Sequence, residues 1–232
     1  MSRISTEYQF KDHPQTCDRD DLWGQVKRTV GGKPVTDEQI AMIIDAISQG
    51  VDLNAQDRLL DLCCGNGALS TQLFGRCAGG LGVDYSDFLI DVANERFARP
   101  PVERYVLDDA LAYLHREEEP QLFTKAMCYG AFPYFPQPLA LEFLQLLHAR
   151  FTGIEQVFLG QLPDRSRMDE FFTSRVRVPG EEDDPGSLMG IWRTQEQLTE
   201  LARRAGWEVR CSRMPTTFFS SHYRFDAILT RI

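Results

Sequence analysis

The chain has 232 residues, 43% of them apolar and 25% charged, which suffices for one α/β domain with a large core. A formal charge of −9 disfavours a surface that grips a long nucleic acid by its phosphates, though not a small anionic ligand. No apolar run reaches the length of a membrane span and the N-terminus lacks a signal-peptide pattern, so a cytoplasmic protein with neither nucleic-acid nor membrane partner is expected, its six cysteines reduced.

Residues 1–35 show no sustained periodicity and read as an N-terminal segment or lid, with Tyr8, Phe10 and Trp23 set among charges. Its basic stretch, Lys27-Arg28 followed by Lys33, suits a solvated face and a functional one equally. Thr36 and Gln39 predict a capping box for a helix with Ile40, Ile43, Ile44 and Ile47 on one stripe, stopped by Gly50. A strand over 58–63 follows, then a glycine loop and a helix carrying Leu69 and Leu73. A second strand, 81–83, ends at Asp84, and Ser86 caps a helix with Leu89, Ile90, Ala93 and Phe97. A third strand covers 105–107, and Asp109 opens a short helix to His115. A fourth strand at 126–128, an amphipathic helix at 138–151 and a fifth strand at 157–159 come next. Residues 163–193 form the longest insertion. Thr194 and Gln197 predict another capping box, with Gly206 as stop, before strands at 207–211 and 225–229. Strands alternating with helices imply parallel pairing through right-handed crossovers, and the last two strands, joined by a loop alone, should pair antiparallel. The domain is thus expected over 36–232.

The most telling stretch is 58–70, RLLDLCCGNGALS. An apolar strand runs into Asp61, Gly65 and Gly67 follow in a loop, and a helix starts at once. Such glycines let backbone approach a ligand, and the helix aims free N–H groups at it. Twenty-three residues after Asp61, a second strand ends at Asp84, where an acid can accept from both ribose hydroxyls of an adenosine-type cofactor. A dehydrogenase fingerprint would carry a third glycine where Ser70 stands, and a P-loop would need G-K-[ST]; a tight turn without ligand is the bland alternative. The two segments resemble the first two motifs of the class I S-adenosylmethionine-dependent methyltransferases, although Cys63 stands where that family carries a glycine. The resemblance implies a Rossmann-like α/β fold, a seven-stranded mostly parallel sheet flanked by helices with the last strand antiparallel.

It also implies roles. Asp61 would organise the loop and meet the amino group of S-adenosyl-L-methionine; Cys63, Gly65 and Gly67 would line its methionyl part and sugar. Asp84 would hold the ribose hydroxyls, Tyr85 flank the adenine, and Asp109 and the Ala110 N–H meet the adenine edge, Asp109 serving as a helix cap as well. Tyr129 would shield the sulfonium or simply pack in the core, and Tyr134 would orient substrate. The segment from Cys128 to Tyr134 lacks the Asn/Asp-Pro-Pro-aromatic sequence of base-amino methyltransferases. No carboxylate stands between Ala126 and Pro138 to hold magnesium. Metal-independent O-methylation of a small-molecule or saccharide hydroxyl is therefore expected, with His222 or His13 as base and His115 and His148 structural. The insertion, with Arg165, Arg167, Arg175 and Arg177, an acidic run from Glu181 to Asp184, and Trp192, reads as a substrate wall or as a solvated loop. The whole-chain pattern is faintly similar to methyltransferases of bacterial surface-polysaccharide synthesis. The alternatives are a non-catalytic partner subunit that keeps the cofactor fold, or a protein methyltransferase.

Overall fold

The computed structural model describes residues 8–232. Its seven-stranded sheet contains β1 (Leu59–Leu62), β2 (Gly80–Asp84), β3 (Glu103–Leu107), β4 (Lys125–Tyr129), β5 (Gln156–Pro163), β6 (Trp207–Ser212) and β7 (Arg224–Arg231). The order across the sheet is β3-β2-β1-β4-β5-β7-β6. Every pairing from β3 to β5 is parallel, and β7 runs antiparallel to both β5 and β6. β1, β2 and β4 are buried along their whole length, as helices on both faces of a parallel sheet require.

Six helices cover those faces: α1 (Asp37–Gly50), α2 (Ser70–Phe74), α3 (Asp87–Arg96), α4 (Ala110–Arg116), α5 (Gln137–Arg150) and α6 (Gln195–Arg204). One core layer joins Leu60, Leu62 and Val83 to Leu114, Phe143, Leu147 and Leu201 of α4, α5 and α6. The other joins Leu59, Met127, Tyr129, Phe158 and Ile228 to Ile40, Ile43, Ile44 and Ile47 of α1 and to Ile90 and Ala93 of α3. Side chains alternate along a strand, so Asp61, Tyr129 and Asp226 project from the α1 side of the sheet. Segment 163–193 has only short helical turns and a small core of its own, where Met168, Met189 and Trp192 meet Phe171, Phe172 and Tyr223.

Two of the expected caps differ. The box at Thr194 and Gln197 forms in full. At α1 the Thr36 side chain makes no cap bond with the backbone; Gln39 instead donates to the Thr217 carbonyl (3.1 Å) and accepts from the Phe219 N–H (2.9 Å), which ties the β6–β7 loop to the helix. Long-range partners for Gln39 have displaced the local one. Ser86 precedes α3 without a side-chain cap bond, its hydroxyl buried and unpartnered among the described residues. Among the described residues no helix is long and apolar enough to cross a membrane.

Candidate functional site

The strand order reverses between β1 and β4, and in open α/β sheets the crevice at the carboxyl ends beside such a reversal is the ligand site. Asp61 and Asp84 stand there, both buried. The Ser70 hydroxyl donates to Asp61 Oδ2 at 2.5 Å. Burial pushes the Asp61 carboxyl up to about 7, against the opposing pull of Ser70 and the Arg28 guanidinium. Asp84 Oδ2 accepts from the Gly65 N–H and its Oδ1 from the Ser86 N–H, each at 2.9 Å; burial raises its pKa too. Each carboxylate oxygen keeps a further lone pair for a ligand.

Cys63, Gly65 and Gly67 all adopt left-handed backbone (φ 65°, 59° and 75°). Glycine is at home there, whereas Cys63 bears a steric cost. The two glycines answer to different neighbours. A Cβ on Gly67 would strike the Tyr105 ring at 2.7 Å, so its bareness serves packing. A Cβ on Gly65 would strike Val26 Cγ1 at 2.8 Å, because the N-terminal segment lies over the loop. That segment is pinned there by the buried Asn66 amide, which donates to the Leu22 carbonyl (2.7 Å) and to Gln25 Oε1 (2.8 Å). Farther along, Arg28 stacks over the rings of Trp23 and Tyr129 (5.3 and 5.1 Å). Beyond β2 and β3 a cavity of about 490 Å³ is lined by Tyr85, Asp87, Leu107, Asp108 and Asp109, and from the N-terminal segment by Lys11, Asp12 and Gln15.

No model of a known protein family matches the chain, and no curated protein matches it. Solved structures do. The cyclopropane synthase MmaA2 of Mycobacterium tuberculosis, 17% identical, matches over 92% of this chain and 79% of its own with a TM-score of 0.65. The magnesium protoporphyrin IX methyltransferase ChlM of Synechocystis PCC 6803, solved with bound SAH, is 16% identical over 84% of this chain and 83% of that one, TM-score 0.58. A TehB-like SAM-dependent methyltransferase of Corynebacterium glutamicum is 19% identical over 86% and 90%, TM-score 0.53. The fold is that of the class I methyltransferases.

Within this methyltransferase fold the other expected site residues fall as follows. Asp109 Oδ1 caps α4 by accepting from Leu111 and Ala112 N–H, while the residue also borders the 490 Å³ cavity; Ala110 is buried behind it. Tyr129 is 8% exposed, and burial raises the pKa of its hydroxyl, which interacts with Asp226, Arg28 and Gln161. Tyr134 donates to the Leu188 carbonyl (2.8 Å) and meets Phe10 edge-on at 4.8 Å. His13 faces the Gly24 carbonyl (3.1 Å) inside the N-terminal segment. His222 is exposed in the β6–β7 loop, its ring against Tyr223. Arg165 is engaged by Asp183 (2.6 and 3.1 Å) and Arg177 by Glu182 (2.8 Å), so the insertion's acidic run takes up two of its four arginines, while Arg167 pairs with Glu170 and Arg175 lies over the Phe171 ring. Trp192 is fully packed in the insertion's core.

Sequence reasoning left Arg28 undecided and missed Gln25, Asn66, Gln161 and Asp226. Burial lowers the Arg28 pKa, and Tyr129 and Asp61 oppose that shift, placing the guanidinium among the site's charges. A basic residue in a segment without periodicity gives no sign of this. Asn66 between two glycines was the one legible hint, since a buried amide must find partners.

Proposed function

We propose that this protein is an S-adenosylmethionine-dependent methyltransferase acting by metal-independent in-line transfer on a small-molecule or saccharide hydroxyl. The observation that carries the reading is the pair of buried strand-end carboxylates, Asp61 and Asp84, on either side of a glycine loop at the sheet's switch point. When bound, the cofactor supplies an activated methyl group on a sulfonium. Asp84 holds the ribose hydroxyls, Tyr85 and Asp109 border the adenine, and Asp61 meets the amino group. Arg28, the half-buried cation whose charge acts on Asp61, meets the carboxylate of the methionyl end. Tyr129 walls the sulfonium side, where an aromatic face suits a cation. The cavity volume suits a nucleoside-sized ligand.

The N-terminal segment, described over 8–35, acts as the lid, and alignment with exclusion of water is its contribution to transfer; residues 1–7 lie outside the described residues. The insertion at 163–193 walls the acceptor side, with Arg165 in it and Trp192 supporting it from its core, and Tyr134 meets it from the loop after β4 through the Leu188 carbonyl. His13 and His222 are the sequence candidates for the base. Two of the solved structures alike in fold are methyltransferases and one holds SAH, which supports the cofactor; one is a magnesium protoporphyrin IX methyltransferase and another a cyclopropane synthase, which leaves the acceptor to this chain's own residues. Isothermal titration with S-adenosylmethionine is the test. Saturable binding at sub-millimolar concentration supports the reading, and none defeats it.

A further inference from the structure

The two ends of the cofactor crevice differ. The adenosine end is open: the cavity of about 490 Å³ lies between Tyr85, Leu107 and Asp109 of the domain and Lys11 and Gln15 of the N-terminal segment. Over the glycine loop the same segment closes down on the backbone. Val26 packs on Gly65 so closely that a Cβ on that glycine would lie 2.8 Å from its Cγ1. Two residues on, the half-buried Arg28 guanidinium lies 5.1 Å from the centre of the Tyr129 ring, and its charge acts on Asp61. A cation over an aromatic face and under the influence of a carboxylate is what the cofactor's methionyl end would itself supply, through its sulfonium and its ammonium. The chain's own residues thus stand where the reading above seats that end.

The clamp that holds them is small. Gln25, 1% exposed, accepts from the Asn66 amide (2.8 Å) and donates to the Asp18 and Arg19 carbonyls (3.0 and 3.1 Å). Lys27, between Val26 and Arg28, holds left-handed backbone at φ 52°, a strain that persists only while its surroundings impose it. Farther out, the segment meets α3 through surface ion pairs, Arg19 with Glu95 and Arg96 with Asp20, which hold little. One buried amide pair, one strained residue and weak outer anchors suit a piece that is displaced as a unit.

Resting on the methyltransferase reading above, we propose that residues 22–28 form an autoinhibitory plug: Val26 and Arg28 hold the methionyl half of the crevice, and the amino-acid end of the cofactor enters only when they move. That end is a zwitterion. It inserts between the two protein charges, its ammonium going to Asp61 and its carboxylate to Arg28, so that neither charge is left unpaired. The segment then recloses over the cofactor as the lid. Adenosine enters its own end without this step. The plug therefore lowers the affinity for the whole cofactor by the fraction of molecules that are open, and leaves a ligand without the amino-acid end unaffected.

The test is isothermal titration of the full chain with S-adenosylhomocysteine and with methylthioadenosine, which keeps the adenosine and the sulfur but lacks the amino-acid end. Val26→Ala and Gln25→Ala loosen the plug from its own side and remove no group that meets the cofactor. Each should tighten S-adenosylhomocysteine binding about threefold or more. Methylthioadenosine binding should stay within about twofold, which also reports a folded crevice. S-adenosylhomocysteine binding seen only in the variants would support the plug as well. The proposal is overturned if either variant binds S-adenosylhomocysteine no more tightly than the wild type does, or if both ligands gain equally. If neither ligand binds the wild type or the variants, the cofactor reading itself fails and the plug falls with it.

Discussion

At the scale of single residues, Asp84 does two jobs at once. It anchors the glycine loop through the Gly65 N–H and α3 through the Ser86 N–H. Asp84→Ala should therefore weaken S-adenosylhomocysteine binding by about 2–3 kcal/mol for two lost hydrogen bonds; a folded variant that binds as before would remove Asp84 from the ribose. Cys63 supplies a second prediction. Its backbone is left-handed, so Cys63→Gly relieves steric cost and should be neutral or stabilising by up to about 1 kcal/mol. Cys128→Gly, a similar deletion at a buried position on a regular strand, should cost about 2 kcal/mol. Equal losses at both positions in urea melts would contradict this. Asp61, Gly65 and Asp84 were legible because strand, acid and glycine sit within a few residues of one another. Asp226 was not, since its partner Gln161 comes from another element and no local pattern marks a carboxylate inside an apolar strand.

At the scale of elements, the N-terminal segment is the piece that the sequence described least. Its contacts with the domain reach distant residues: Val26 on Gly65, Asn66 on Leu22 and Gln25, Lys11 over the Tyr85 ring, Arg19 on Glu95 and Arg96 on Asp20. Periodicity cannot report such contacts. The helices and strands of 36–232, by contrast, follow from apolar stripes and caps, and only their ends differ: β5 and β7 extend beyond the apolar stretches into bulge and edge residues. If the segment is a lid held by Asn66, then Asn66→Ala should cost about 1–3 kcal/mol through the lost buried bonds. Hydrogen exchange across 10–28 should then accelerate, and S-adenosylhomocysteine should slow it in the wild type. Exchange that responds to neither change would argue against the lid.

At the scale of the whole molecule, the sheet concentrates buried carboxylates on its α1 side, with consequences for stability. The Asp61 carboxyl sits at about 7 and that of Asp226 at about 6, both above the ordinary 3.8, because burial disfavours the charged form. The native state holds these protons to higher pH than the unfolded chain does. Their contribution is therefore full below about 4 and lost as pH rises through 6 to 7. His148, whose pKa burial lowers, acts in the opposite sense, so the decisive comparison is between variants. The urea midpoint of the ligand-free wild type should fall between pH 5 and 7.5 relative to an Asp61→Asn/Asp226→Asn variant; parallel curves would contradict the assignment. The central claim is tested most directly by a crystal structure with S-adenosylhomocysteine. The account predicts ribose hydroxyls on Asp84, adenine between Tyr85 and Asp109, and the amino group on Asp61. Density elsewhere on the molecule, with Val26 and Arg28 still filling the crevice, would contradict it.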